Sequence, residues 1–285
     1  MLGLWPKVRS IIRQESKISR QYFHQYVGDN TVLMFGSDEL FIYLDGNDAG
    51  ITPSMIYQGT WETSIARWID SQLPVDGCFV DIGANNGIHA LRARRKVGAD
   101  GTVIAFEPQQ RLVGLIERSS SANSMIYNLH PRCMAIGASE GTARLGKFAH
   151  LTGSASMTAN ALFSSYEDVP LASLPAALAQ VSHEIGKPCV PDVIKIDVEG
   201  FEYDVWDGMK EWTRQLPKLA IAIEYSPVSY RDNGRDPLKL LEEFIEYGFV
   251  ILMIEEGGMT TPVDHSQLPA IAGSNRQYDM ALTKG

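Results

Sequence analysis

The sequence predicts an α/β protein built on a doubly wound, mostly parallel sheet with helices on both faces. Three observations predict it. The apolar run Cys78-Phe-Val-Asp-Ile82 passes at once into Gly83, Gly87 and a helix-like segment over 88–96, which is a strand, a tight glycine turn and a helix N-terminus. Two further apolar runs end in carboxylates, at Glu107 and Asp197. Between residues 60 and 255, strand-like runs alternate with segments of helical periodicity, the pattern of βα units.

The elements follow in order. Residues 4–27 place Leu4, Val8, Ile11, Ile12, Ile18, Tyr22 and Tyr26 at helical spacing, with Lys7, Arg9, Arg13, Lys17 and Arg20 between them. Glu15 interrupts the apolar stripe, which favours a helix laid on the domain or on a partner protomer over a membrane-surface helix. The apolar runs at 31–35 and 40–44 flank Gly36-Ser-Asp-Glu39 as a hairpin, and Gly46 to Gly50 form a turn. Residues 61–73 make a helix with Ile65, Trp68 and Ile69 on one face, stopped by Pro74 and Gly77. After the central strand, 101–106 is a second strand, and the helix behind Pro108 buries Leu112, Leu115 and Ile116. Residues 130–136 make a third strand closed by Gly137, and 139–145 a further turn and strand. The small, polar stretch 150–160 is a loop beside the substrate. Residues 171–185 are helical in composition, with Pro175 in the first turn. Strands follow at 193–196, 218–225, 249–254 and 279–282, and helices at 201–209 and 238–247. The last two strands form a hairpin-like pair, for seven strands in all.

Composition narrows the function. The chain has 285 residues, 45% hydrophobic and 21% charged, enough for a full core. A net charge of -9 argues against a nucleic-acid duplex as partner. Cys78, Cys133 and Cys189 stand far apart with no C-x-x-C pair, so they are expected as buried, reduced thiols rather than disulfide or zinc ligands. No apolar run reaches membrane-spanning length, and no secretory h-region opens the sequence. The expected location is the cytoplasm.

The loop spacing selects the ligand. Gly83 and Gly87 form G-x-x-x-G, with Asn85 where a dinucleotide fingerprint needs its second glycine, and no P-loop Lys-Ser/Thr follows. A wide loop opened by Asp81 suits a cationic ligand without phosphate, such as S-adenosylmethionine. Glu107, about twenty residues beyond the loop, is placed to accept from ribose hydroxyls. A third acidic set, Asp197, Glu199 and Glu202, follows a buried strand beside Lys195. In open α/β sheets the carboxyl ends of strands face the ligand crevice.

Together, Val80-Asp-Ile-Gly-Ala-Asn-Asn-Gly87, Val103-Ile-Ala-Phe-Glu-Pro108, Ala135-Ile-Gly137, Gly153-Ser-Ala-Ser156 and Ile194-Lys-Ile-Asp-Val-Glu-Gly-Phe-Glu202 resemble the FkbM family of S-adenosylmethionine-dependent methyltransferases. The resemblance covers about residues 60–255 and implies a class I methyltransferase, Rossmann-like fold over 60–285; residues 1–59 lie outside it and are expected, from their own pattern, as a helix-and-hairpin extension. It implies an O-methyltransferase acting on a small molecule, sugar or glycan. Asp81, Gly83, Ala84, Asn85 and Gly87 would then line the methionine end of the cofactor. Glu107 would hold the ribose, with Pro108 and Ile136 nearby, and Asp197 would face the methionine ammonium or the acceptor. Where the family often has a polar residue before the Ala-x-Gly step, this chain has Cys133-Met134, which implies apolar or sulfur contacts to adenine.

Methyl transfer to a hydroxyl needs alignment and removal of a proton. Candidate bases are Asp197, Glu199, Glu202, Glu224, His89 and His150, with Lys195 orienting a carboxylate or forming a structural ion pair. Asp197 and Glu224 could instead share a hard cation such as magnesium; metal-free base catalysis ranks slightly ahead. The alternatives are a nucleoside-binding regulatory or assembly protein without turnover and, disfavoured by the acidic balance, an RNA methyltransferase. The N-terminal helix is a candidate homo-oligomer contact.

Overall fold

The computed structural model describes residues 22–158 and 162–285. The expected N-terminal helix therefore falls largely outside the described residues. Where its last turn was expected, Phe23–Tyr26 form strand β1 instead. Alternating Tyr22, His24 and Tyr26 satisfy a strand period as well as a helical one, and pairing with the next strand decides the matter.

Strands β1, β2 (Thr31–Phe35) and β3 (Phe41–Asp45) form an antiparallel sheet. Helix α1 (Ile51–Gln58), which the local pattern did not suggest, and α2 (Thr63–Gln72) lead to β4 (Cys78–Ile82). Then come α3 (Ile88–Val97), β5 (Thr102–Phe106), α4 (Gln110–Ala122), β6 (Leu129–Arg132) and β7 (Ala135–Ile136). An insertion follows, made of β8 (Gly141–Phe148), β9 (Leu151–Ser156) and β10 (Ser165–Ala172). The chain continues through α5 (Leu174–Ile185), β11 (Val193–Ile196), α6 (Glu202–Thr213), β12 (Leu219–Tyr225), α7 (Pro227–Asp232) and α8 (Pro237–Glu246). It ends with β13 (Val250–Ile254), β14 (Thr260–Pro262), α9 (Leu268–Ala272) and β15 (Tyr278–Lys284).

The main sheet has the order β14-β13-β15-β12-β11-β4-β5-β6. The run from β12 to β6 is parallel, and β15 lies antiparallel between β12 and β13. This is the class I methyltransferase arrangement, with the short edge strand β14 added to the seven expected. The last pair, β13 and β15, is adjacent, but β14 and α9 intervene, so no tight hairpin joins it.

Both faces of the sheet are covered, which explains the continuous apolar runs. Val80, Ile82, Ile104, Phe106, Ile194 and Ile196 pack on one side with Trp206 of α6 and Phe244 of α8. Phe79, Val103, Ala105 and Val193 pack on the other with Trp68 of α2 and Leu91 of α3. The second core also takes in Met34, Ile42, Leu44 and Met55, so the three-stranded sheet and α1 share it.

Four expectations change. The single strand at 130–136 divides into β6 on the main sheet and β7 in a four-stranded sheet of order β7-β10-β8-β9. Pro131, which has no N–H, is accommodated because β6 is an edge strand. Cys133 falls in the link between β6 and β7 and is half-buried, whereas Cys78 and Cys189 are buried; all three are free thiols. The expected loop at 150–160 contains β9. Helix α5 starts at Leu174 because Leu171 and Ala172 pair with β7.

Candidate active site

Strand order reverses between β4 and β11, and the crevice opens at their carboxyl ends. The glycine loop hangs from the tip of β5: the amides of Gly83 and Ala84 both donate to the Phe106 carbonyl, at 2.9 and 3.0 Å. Gly83 has φ +79, and a Cβ there would lie 1.8 Å from the Asp197 carbonyl oxygen. Only glycine allows the two loops to approach this closely.

Two adjoining compartments make up the crevice. One is lined by Phe106, Glu107, Pro108, Met134, Ala135 and Ile136. The other is lined by Trp61, Glu62, His89, Lys195 and Glu224. Gly83, Asn85, Gly153, Asp197 and Glu199 border both. Ala84 lines the second. Asp81 and Gly87 stand behind the wall. Asp81 is 1% exposed, and among the described residues neither carboxylate oxygen has a hydrogen-bond partner. Gly87 faces Ile116 of α4.

Glu107 bridges the first compartment's rim. Its Oε2 accepts from the Asn85 amide and its Oε1 from the Gln109 amide, both at 2.9 Å. Burial pushes its pKa up to about 7 against these hydrogen bonds. Met134 lines this compartment, while the Cys133 thiol lies 3.4 Å from the Pro108 carbonyl.

Acids crowd the second compartment. The Lys195 ammonium, 4% exposed, lies 2.8 Å from Asp197 Oδ2. Burial alone would lower the Lys195 pKa; the carboxylates of Asp197, Glu62 and Asp81 outweigh it and hold it well above the usual value. Glu199, at φ +55, is raised to about 8 by burial and then by Asp197 and Glu202. Glu224 is raised to about 10 by burial and by Asp197, Glu202 and Glu199.

Glu202 is fully buried. Its Oε1 accepts from the Val198 and Gly200 amides at 3.0 and 3.1 Å, fastening the loop that carries Glu199. Burial brings it up to about 7. Single oxygens of Asp197, Glu202 and Glu224 lie within 4.8 Å of one another, a set able to hold a hard cation.

Local pattern did not single out Glu62. It sits at φ +44 before α2, with Oε2 2.8 Å from His89 Nε2. Burial would raise its pKa, but His89 and Lys195 bring it down to about 2. Asp279, opposite Glu224 in register, was also missed; burial and then Glu62 and Asp197 raise it to about 6. Only strand pairing brings it near. His150, by contrast, is exposed at the β8–β9 turn and borders neither compartment.

The insertion roofs the site. A Cβ at Gly153 would meet Ile51 Cδ1 at 2.5 Å and Asn85 Nδ2 at 2.9 Å. The Ser156 hydroxyl donates to the Glu199 carbonyl at 2.7 Å.

Fold and crevice define a class I methyltransferase. The family model "Methyltransferase FkbM domain" matches residues 81–251, more than half of the chain, and the chain belongs to that family of S-adenosylmethionine-dependent methyltransferases. It is 25% identical over 186 residues to methyltransferase sdnD of Sordaria araneosa, covering 56% of this chain and 71% of that protein. Among solved structures it is similar to methyltransferase FkbM from Methylobacillus flagellatus, at 13% identity and a TM-score of 0.42. That match covers 73% of this chain and 44% of the other. It is also similar to an O-methyltransferase from Bacillus cereus in complex with SAH, at 13% identity and a TM-score of 0.44, covering 79% and 83%. Among the described residues no helix is long and apolar enough to cross a membrane.

Proposed function

We propose that the protein transfers a methyl group from S-adenosylmethionine to a hydroxyl of a small molecule, sugar or glycan. The observation that carries this reading is the position of Glu199. It borders both compartments, is half-buried and has its pKa raised to about 8. A base at that junction faces the donor from one side and the acceptor from the other.

In this reading the Glu107 compartment takes the nucleoside. Glu107 accepts from the ribose while Pro108, Met134 and Ile136 contact adenine. Gly83, Ala84 and Asn85 adjoin the methionine end, supported from behind by Asp81 and Gly87. The Lys195 compartment takes the acceptor. Asp197, held by Lys195, faces the methionine ammonium. Glu199 would take the acceptor proton as the hydroxyl oxygen bonds to the methyl carbon in line and the methyl–sulfur bond breaks, releasing S-adenosylhomocysteine. Glu202 sets the loop that presents Glu199. Asp197, Glu202 and Glu224 could bind magnesium, but proton removal by Glu199 needs no metal and stays the first choice.

Residues 60–285 are proposed as the catalytic domain and 1–59 as its extension. The free thiols fit a cytoplasmic setting. The test is label transfer from the methyl-labelled cofactor to a whole-cell small-molecule and glycan extract. Tight cofactor binding with no labelled acceptor would favour the non-catalytic alternative.

A further inference from the structure

The basic run Arg92-Ala-Arg94-Arg95-Lys96 plays no part in the chemistry above. Three of its cations, with Arg67 of α2, line a separate cleft of about 530 Å³. Two carboxylates, Asp38 and Asp70, share that lining, so the cleft is net cationic in a chain of charge -9.

The floor of the cleft is built. Arg92 is 7% exposed and donates to the Trp61 carbonyl and to Asp38 Oδ2, both at 2.7 Å; among the described residues its buried Nε has no partner. Asp38 is therefore already neutralised. Arg95 donates to the Asp38 carbonyl. Among the described residues no hydrogen bond or ion pair engages the charged ends of Arg67 or Lys96, with Asp70 attracting Lys96 only at longer range; the Thr63 hydroxyl also lines the cleft, whereas the Thr60 hydroxyl is already held by Asp38 and Arg92. A guanidinium and an ammonium without a hydrogen-bonded partner, beside the Thr63 hydroxyl, suit a phosphate. Among the described residues no aromatic side chain lines the cleft, so they give it no platform for stacking nucleic-acid bases.

The position of the cleft gives it a role. Thr60 lines it, while the next two residues, Trp61 and Glu62, line the Lys195 compartment. On α3, His89 borders that compartment and Arg92, three residues on, borders the cleft, about 5–6 Å apart at Cβ for such a pair. We propose that this cleft binds the phosphate of a phosphorylated small-molecule acceptor while a hydroxyl of the same molecule enters the Lys195 compartment. The acceptor assignment rests on the O-methyl transfer reading; the anion site does not.

The experiment is calorimetry at low salt with inorganic pyrophosphate, on the wild-type chain and on an Arg67→Ala, Lys96→Ala double variant. S-adenosylmethionine is titrated in parallel. The expected result is saturable pyrophosphate binding that weakens about ten-fold in the variant, with cofactor binding unchanged. Absence of saturable binding, or equal affinity in both proteins, overturns the site. Tighter binding of a single-stranded RNA, weakened by the same substitutions, overturns the small-molecule assignment. Label transfer to an extract should disappear after phosphatase treatment; persistence of the label removes the phosphorylated acceptor. A wild-type chain that ignores the cofactor yet binds pyrophosphate would refute the methyltransferase reading alone.

Discussion

Lys195 Nζ stands 2.8 Å from Asp197 Oδ2, joining two residues on the same face of one strand end. Lys195 also lies beside Asp81 in the register of β11 against β4. One ammonium thus balances carboxylates contributed by several elements. Lys195→Met removes it and leaves buried acids unpaired. Chemical denaturation should show a loss of about 3–5 kcal/mol. A change under about 1 kcal/mol would show that the acids take up protons without penalty.

Glu199→Gln separates chemistry from binding. Removing a general base lowers turnover by about 10²–10⁴-fold, while calorimetric cofactor affinity should hold within about three-fold. In the wild type, turnover should rise with pH through about 8, as Glu199 loses its proton. The variant should lose that limb. An unchanged profile would move the base elsewhere in the acid cluster.

The same elevated acids make stability depend on pH. Glu107 and Glu202 are raised to about 7 and Glu199 to about 8, from 4.5. Below 4.5 both folded and unfolded chains hold these protons, and the stabilising contribution is complete. Between 4.5 and 8 the folded chain keeps protons that the unfolded chain has lost, so the contribution fades as pH rises. Glu62, lowered to about 2, has already given its full contribution above its unfolded value and does not change in this window. Scanning calorimetry of the cofactor-free protein should give a higher Tm at pH 5.5 than at pH 8.5. Glu202→Gln should flatten the dependence.

Gly83→Ala tests the contact between the two loops. The added methyl would meet the Asp197 carbonyl at 1.8 Å from a left-handed backbone. A cost of about 3 kcal/mol is expected, together with loss of cofactor binding. Gly114 is the control, since a Cβ there meets nothing within 4 Å. Gly114→Ala, in the interior of α4, should leave cofactor binding unchanged and raise stability by up to about 1 kcal/mol.

Glu107→Gln should weaken cofactor binding by about ten-fold or more, as a charged acceptor is lost. Its fold should survive, because glutamine keeps an oxygen for the Asn85 amide. Equal affinity by calorimetry would assign Glu107 to holding the loop alone.

The parallel core and its acidic strand tips were legible in the sequence, because hydrophobic period and glycine spacing are local properties of the chain. Gly83, Glu107 and Asp197 each announce themselves within a few residues. Glu62 and Asp279 do not: one reaches the site from a left-handed turn before α2, the other through antiparallel pairing beside Glu224. The β9 roof was hidden because small polar residues signal a loop until β8 pairs with them. Which acids hold a proton was likewise decided by tertiary structure. Charge depends on desolvation and on neighbours distant in sequence, and neither exists until the strands are assembled.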